Sequence, residues 1–228
     1  MATVLITGAA RGVGLALAQT YAEAGDSVIA TCRAPAHAEE LNALALNAGV
    51  EVHFLDVDDP GLIEAFAAKI GARPIDILIT NAGIYAPKAQ PLRALDAETW
   101  LDHFRTNTLA PVFLARAFEE HLAQTKGTCI ALTSKVGSIA DNTSGGGYMY
   151  RSSKSALNAA YRSLSIDWRD RNITVAVFHP GWVQTAMGGP NALISPAESA
   201  AGLRARIAGL WPVDSGGFFD YLGRPIPW

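Results

Sequence analysis

The stretch Tyr150-Arg151-Ser152-Ser153-Lys154 sets a phenol and an ammonium four residues apart. On a helix that spacing puts both side chains on one face, a turn from each other. A neighbouring ammonium favours phenolate, and a phenol drawn down from its usual pKa of about 10 can serve as acid or base near neutrality. Upstream, Ser134 ends an apolar run over residues 128–133 and offers a hydroxyl that can donate to a carbonyl oxygen. Asn107, in Phe104-Arg105-Thr106-Asn107-Thr108, falls in a helical stretch although Asn is a mediocre helix former. There it could hold a water that relays protons from Lys154 to bulk. Such a set suits proton transfer at an alcohol or carbonyl oxygen.

A second constellation suits a dinucleotide. Thr7-Gly8-Ala9-Ala10-Arg11-Gly12-Val13-Gly14 lies between a short apolar run and a helical pattern. A sharp strand-to-helix turn without Cβ atoms lets the backbone approach a pyrophosphate, and the helix N-terminus adds N–H donors and partial positive charge. The spacing is G-x-x-x-G-x-G, so Gly8, Arg11, Gly12, Val13 and Gly14 are the expected contacts. The second apolar run ends Ala30-Thr31-Cys32-Arg33, without the acid that would accept from a ribose 2′-hydroxyl. Arg33, helped by Arg11, could meet a 2′-phosphate instead. The expected cofactor is therefore NADP(H) in preference to NAD(H), although each arginine alone would more often be a solvated surface residue. Asp56-Val57 and Asn81-Ala82-Gly83 end two further runs and are read as adenine and nicotinamide-ribose contacts. In His179-Pro180-Gly181-Trp182-Val183-Gln184-Thr185, the Pro-Gly turn with Val183 and Thr185 is placed to fix a carboxamide.

These residues need elements to bring them together. Apolar runs at residues 4–7, 27–31, 51–55, 75–80, 128–133, 174–179 and 217–222 alternate with helical patterns, as in βαβ units. Most show little alternation, as expected of parallel strands covered on both faces. Residues 13–24 form the first helical pattern, with Gly25 as its stop. Ser195-Pro196-Ala197-Glu198 reads as a cap, an N1 proline and a capping-box Glu. The implied fold is α/β: one Rossmann domain over residues 1–228, a doubly wound seven-stranded parallel sheet with helices on both faces.

Bulk properties narrow the classes. The chain of 228 residues is 50% hydrophobic and 17% charged, which excludes a disordered chain. Its formal charge of -3 comes with no basic run, so nucleic acid is not an expected partner. The N-terminus has no basic n-region, and no uninterrupted apolar stretch is long enough for a bilayer, so neither a signal peptide nor a membrane is expected. Cys32 and Cys129 sit in strand-like runs as buried thiols of a reducing cytosol, and no metal site is expected. A cytoplasmic location follows from that reading.

The order of T-G-x-x-x-G-x-G, N-A-G, helical Asn, strand-end Ser, Y-x-x-x-K and P-G-x-x-x-T resembles the short-chain dehydrogenase/reductase family over nearly the whole chain. Ser134-Lys135-Val136-Gly137-Ser138-Ile139, the run from Tyr150 to Asn158, His179 to Thr185, and Pro225-Ile226-Pro227-Trp228 resemble the branch of the C-factor (C-signal) proteins and sniffer-type carbonyl reductases. The resemblance implies a tetrad of Asn107, Ser134, Tyr150 and Lys154, with Lys154 also bonding the nicotinamide ribose. It implies hydride transfer to a carbonyl carbon while Tyr150 protonates the oxygen, and a homodimer or homotetramer. Ser134 and Tyr150 stand farther apart than in many members, which makes Ser138 a rival hydroxyl. Tyr148 is a weaker rival to Tyr150, because Ser152 stands where its Lys should be. Ala186 replaces an Asp common among relatives.

The leading expectation is an NADPH-dependent reductase of a small ketone, aldehyde or quinone, with Tyr85, Trp182 and Met187 in the substrate pocket. Leu193 and Ile194 join them as apolar lining. A cofactor-binding signalling protein with little turnover and an NAD-dependent alcohol dehydrogenase are the alternatives.

Overall fold

The computed structural model describes residues 1–85 and 92–228. Seven strands form one parallel sheet: β1 (Thr3–Thr7), β2 (Ser27–Cys32), β3 (Glu51–Phe54), β4 (Ile77–Thr80), β5 (Thr128–Leu132), β6 (Thr174–His179) and β7 (Gly217–Asp220). Their order is β3-β2-β1-β4-β5-β6-β7. All seven expected strands are present, with ends shifted by no more than a residue or two.

Side-chain alternation explains why the runs are apolar throughout. Leu5, Ile29, Leu78, Cys129, Val175 and Val177 face one layer of helices. Val4, Ile6, Val28, Ile79, Ile130 and Phe178 face the other. The inner strands are apolar on both sides because each side is buried, whereas the edge strand β3 carries exposed Glu51 and Phe54. The first layer is α3 (Pro60–Ile70), α5 (Ala110–Ala117) and α7 (Tyr148–Asp167), contributing Phe66, Leu114, Leu157 and Tyr161. The second is α1 (Gly12–Glu23), α2 (Glu39–Ala48) and α8 (Pro196–Ala208), contributing Leu17, Tyr21, Leu41 and Leu203. Two short helices, α4 (Ala97–Phe104) and α6 (Glu119–Ala123), flank α5.

Local chemistry sets the ends. Gly25 follows α1 with φ 83°, a left-handed stop available to glycine, and its N–H bonds Ala22 O. Ser195 and Glu198 form the expected capping box, with Pro196 at N1 of α8. Chain order reverses between β1 and β4, so the loops after these two strands diverge and leave a crevice at their carboxyl ends.

Candidate active site

The loop after β1 is held open by the loop after β4. Asn81 Nδ2 donates to Thr7 O (2.9 Å) and Gly8 O (3.0 Å), while the N–H groups of Asn81 and Ala82 donate to Thr7 Oγ1 at 3.2 and 3.3 Å. Gly8 and Gly12 have φ of +67° and +59°. A Cβ on Gly8 would meet Ala82 Cα at 2.8 Å, and one on Gly12 would meet Thr185 Cγ2 at 3.1 Å. A Cβ on Gly14 would collide with Asn81 Nδ2 and Gly8 O. The glycines are therefore required by close approach of the loops after β1, β4 and β6. Helix α1 starts at Gly12 with no side-chain cap and no acid in its first turn, so its first N–H groups, Val13 included, await an acceptor. This cradle fits a pyrophosphate.

Arg11 and Arg33 are both exposed, and neither forms a salt bridge among the described residues. Asp56 is half-buried after β3, its Oδ1 accepting from Asp58 N (3.1 Å), with Val57 buried beside it. Gly83 lies against the catalytic candidates: a Cβ there would be 3.1 Å from Asn107 Oδ1 and 3.7 Å from Lys154 Nζ.

At the start of α7, Tyr150 and Lys154 lie one turn apart. Burial pushes the Tyr150 phenol up to about 12, partly offset by a hydrogen bond with Ser134. Burial lowers Lys154 to about 8, and its Nζ donates to Leu132 O at 2.8 Å. The ammonium lies 5.9 Å from the Tyr150 ring centroid. In this arrangement desolvation governs the phenol, and the lowering expected from the lysine is not the dominant effect.

The rivalry of Ser134 and Ser138 is decided by partners. Ser138 is 1% exposed, accepts from Asp141 N (3.1 Å) and donates to Trp228 O (3.2 Å). Ser138 thus clamps residue 228 to the loop after β5, whereas Ser134 Oγ accepts a long bond from Val136 N (3.4 Å) and lies near enough to Tyr150 to lower its pKa. Tyr148 is 40% exposed at the first turn of α7. The extra length between Ser134 and Tyr150 is absorbed by Gly145, Gly146 and Gly147, which have φ of 62°, 66° and 59°. Arg151 ties this segment back through Val136 O (3.1 Å) and Ser144 Oγ (2.9 Å).

Asn107 sits in a π-helical turn, Arg105–Leu109, between α4 and α5, and is fully buried. Its Nδ2 donates to Ile84 O (3.0 Å) and Ser153 Oγ (3.1 Å), and its Oδ1 accepts from Ile84 N (2.9 Å). Both amide protons and one lone pair are committed, which leaves one lone pair for a water. No local sequence signal marks this clamp or Thr7, Ser153 and Arg151, because each has a partner distant in sequence.

After β6, Pro180 O accepts from Ser199 Oγ (2.6 Å), and Gly181 turns with φ +91°. Val183 is buried and bridges Ile194, and Thr185 Oγ1 accepts from Gly188 N (3.1 Å). Gly189 N bonds Thr185 O at 2.9 Å, so the turn closes around Ala186 without an acidic side chain. The three expected pocket residues separate. Trp182 lines a cavity of about 470 Å³ with Leu193, Ile194, Tyr221 and Ile226 at the ends of β6 and β7. Met187 is 44% exposed, and Tyr85 packs edge-on against Tyr150 with centroids 4.7 Å apart.

Residues 2–192 match the sequence model of the short chain dehydrogenase family. The chain belongs to that family. Among its members, the C-signal protein of Myxococcus xanthus is 42% identical over 167 residues, spanning 73% of this chain and all of that protein. The carbonyl reductase Sniffer of D. melanogaster superposes with a TM-score of 0.96 at 34% identity, covering both chains completely. The NADPH-bound carbonyl reductase from chicken fatty liver gives 0.93 at 33% identity, covering all of this chain and 94% of that one. Among the described residues of this family member, no helix is long and apolar enough to cross a membrane, and no group of His, Cys, Asp or Glu is placed to hold a metal.

Proposed function

We propose that this oxidoreductase uses NADPH to reduce a small ketone, aldehyde or quinone to the alcohol. The carrying observation is the placing of Ser134 beside the Tyr150 phenol, with Lys154 one turn along α7 and the glycine cradle across the crevice. When bound, NADPH supplies the hydride to the carbonyl carbon. Ser134 donates to the carbonyl oxygen and Tyr150 delivers its proton there. A phenol held up near 12 is fully protonated at neutrality, which suits an acid in the reductive direction. Lys154 reaches from α7 toward the nicotinamide ribose, and Asn107 fixes the loop carrying Gly83 beside it. Gly8, Gly12, Val13 and Gly14 hold the pyrophosphate, Asp56 and Val57 the adenine, Asn81 to Gly83 the ribose, and Pro180, Gly181, Val183 and Thr185 the carboxamide. Exposed Arg11 and Arg33 take the 2′-phosphate.

The likeness to carbonyl reductases that include an NADPH-bound one supports this reading. The 42% identity to C-signal favours a second one, a cofactor-binding protein whose role is signalling. Cofactor consumption by the purified chain separates them, tested with quinones, dicarbonyls, aromatic aldehydes and ketones. Turnover with NADPH is expected, falling ~10³-fold in Tyr150→Phe, and Arg33→Asp is expected to shift preference toward NADH. NADPH binding without turnover of any carbonyl would favour the signalling reading. A homo-oligomeric state in the cytoplasm belongs to the same proposal.

A further inference from the structure

The bonds around Tyr150 form a closed circuit. Ser153 Oγ donates to Tyr150 O (2.9 Å) and accepts from Asn107 Nδ2 (3.1 Å). Asn107 holds both the N–H and the carbonyl of Ile84. The next residue, Tyr85, turns its ring onto the ring of Tyr150, 4.7 Å between centroids and 80° between planes. The path thus leaves the backbone of Tyr150, passes through Ser153 on α7, Asn107 on the π turn and Ile84 and Tyr85 on the loop after β4, and returns to its side chain.

Each link is rigid. Asn107 is fully buried and Ser153 is too, so neither has alternative partners in solvent. Thr108 Oγ1 adds a second tie from the same π turn to α7, donating to Ser153 O at 2.8 Å. Helix α7 fixes the Cα of Tyr150, and Ser134 lies beside its hydroxyl. Rotation of the ring about the axis between those points remains, and an edge-on aromatic neighbour limits that rotation.

We propose that Tyr85 is a positioning residue that sets the plane in which Tyr150 presents its hydroxyl to a substrate oxygen. The inference rests on Tyr150 being the acid. It differs from a pocket-wall role, since Tyr85 then acts through Tyr150 and affects every substrate alike. The groups facing this pair are Ser134 from the loop after β5, Lys154 across the Tyr150 ring, and Arg151, whose charge acts on Tyr85. None of them replaces the ring edge. Tyr85 also covers part of the Tyr150 ring, so its loss exposes more of a side chain that is already partly exposed.

The test compares Tyr85→Phe, Tyr85→Ala and Tyr85→Leu with the parent, using a small dicarbonyl and a bulky quinone. Positioning predicts that Ala and Leu lower kcat roughly 10- to 100-fold for both substrates, with KM within about twofold, because a displaced reacting group costs rate rather than binding. Phe keeps the ring and is expected to stay within about twofold of the parent. Leu retains bulk if Ala does not fold. A second readout needs no turnover: the 13Cζ resonance of Tyr150 in tyrosine-labelled protein, assigned with Tyr150→Phe. Its titration midpoint is expected to fall toward the ordinary phenol value of about 10 in Ala and Leu and to be highest in the parent, with Phe, which removes only the Tyr85 charge that also raises Tyr150, between them. A raised KM for the quinone alone, with kcat and midpoint unchanged, would make Tyr85 a pocket wall and overturn the proposal. If the parent reduces neither carbonyl, the reductase reading fails, while the resonance still decides whether Tyr85 holds Tyr150.

Discussion

Lys154 carries a conflict between stability and chemistry. Its ammonium is buried with one backbone acceptor, and burial depresses it to about 8 against 10.5. Because the folded state disfavours the proton, the cost is full below pH 8 and is relieved as pH rises from 8 to 10.5. Lys154→Met is therefore expected to abolish reduction while stabilising the fold by about 2 kcal/mol at pH 7, with Leu132 O losing its partner as a partial offset. Thermal melting at pH 7 and pH 10 checks both parts: the gain should shrink at the higher pH, and a loss at pH 7 would contradict it. The i, i+4 pairing of Tyr150 and Lys154 was plain in the sequence, since helical spacing depends on nothing else. The direction in which burial moves the two groups was not, because it comes from β5 and the π turn closing over α7. Ser134 and Ser138 could not be ranked from sequence for a similar reason, as the partner that occupies Ser138 is Trp228, 90 positions away.

The seven strands and the capping box of α8 could be read from the sequence, because burial on both faces and end-capping leave marks in adjacent residues. The π turn left none; an Asn in a helical pattern looks the same in an α-helix. The glycine loop shows the difference in another way. Its spacing announced a strand-to-helix turn, yet part of the reason for Gly14 is Asn81, which follows β4 and crowds it along with Gly8 O. Gly14→Ala is expected to lose ~1–3 kcal/mol by overpacking, or roughly 5 °C in melting temperature, and to weaken NADPH binding because the β1 loop must shift. Gly209→Ala is the matched control: its Cβ would find nothing nearer than 3.6 Å, and stability should stay within about 0.5 kcal/mol. Equal effects at the two sites would refute the packing account of the cradle.

The whole molecule answers to pH through His179, at the end of β6. Burial lowers it to about 4 from 6.5, with Asp220 opposing that shift and Lys135 adding to it. The folded state prefers the neutral ring, so its contribution is present above pH 6.5 and is lost as pH falls from 6.5 to 4. That loss amounts to about 3 kcal/mol at most. Denaturant melts at pH 7 and pH 4.5 should show it, and His179→Gln should flatten the difference; an unchanged slope would remove His179 as the cause. At this scale the domain and its cofactor edge were legible from the alternation of strands and helices. The cavity at the ends of β6 and β7 was not, since the loop carrying Trp182, Leu193 and Ile194 meets Tyr221 and Ile226 only after the sheet has formed. For the same reason the edge-on contact with Tyr150 made by Tyr85, expected with Trp182 and Met187 in an apolar pocket, could not be read from the sequence.

The central claim is that this crevice passes hydride from NADPH to a carbonyl carbon with Tyr150 as the acid. The most direct measurement is label transfer: NADPH deuterated at the nicotinamide C4 on the transferring face, incubated with the enzyme and a carbonyl that it consumes. Deuterium at the carbinol carbon of the product, one per cofactor oxidised, absent with Tyr150→Phe, is the predicted result. Alcohol without deuterium, or label transfer undiminished in Tyr150→Phe, would contradict it.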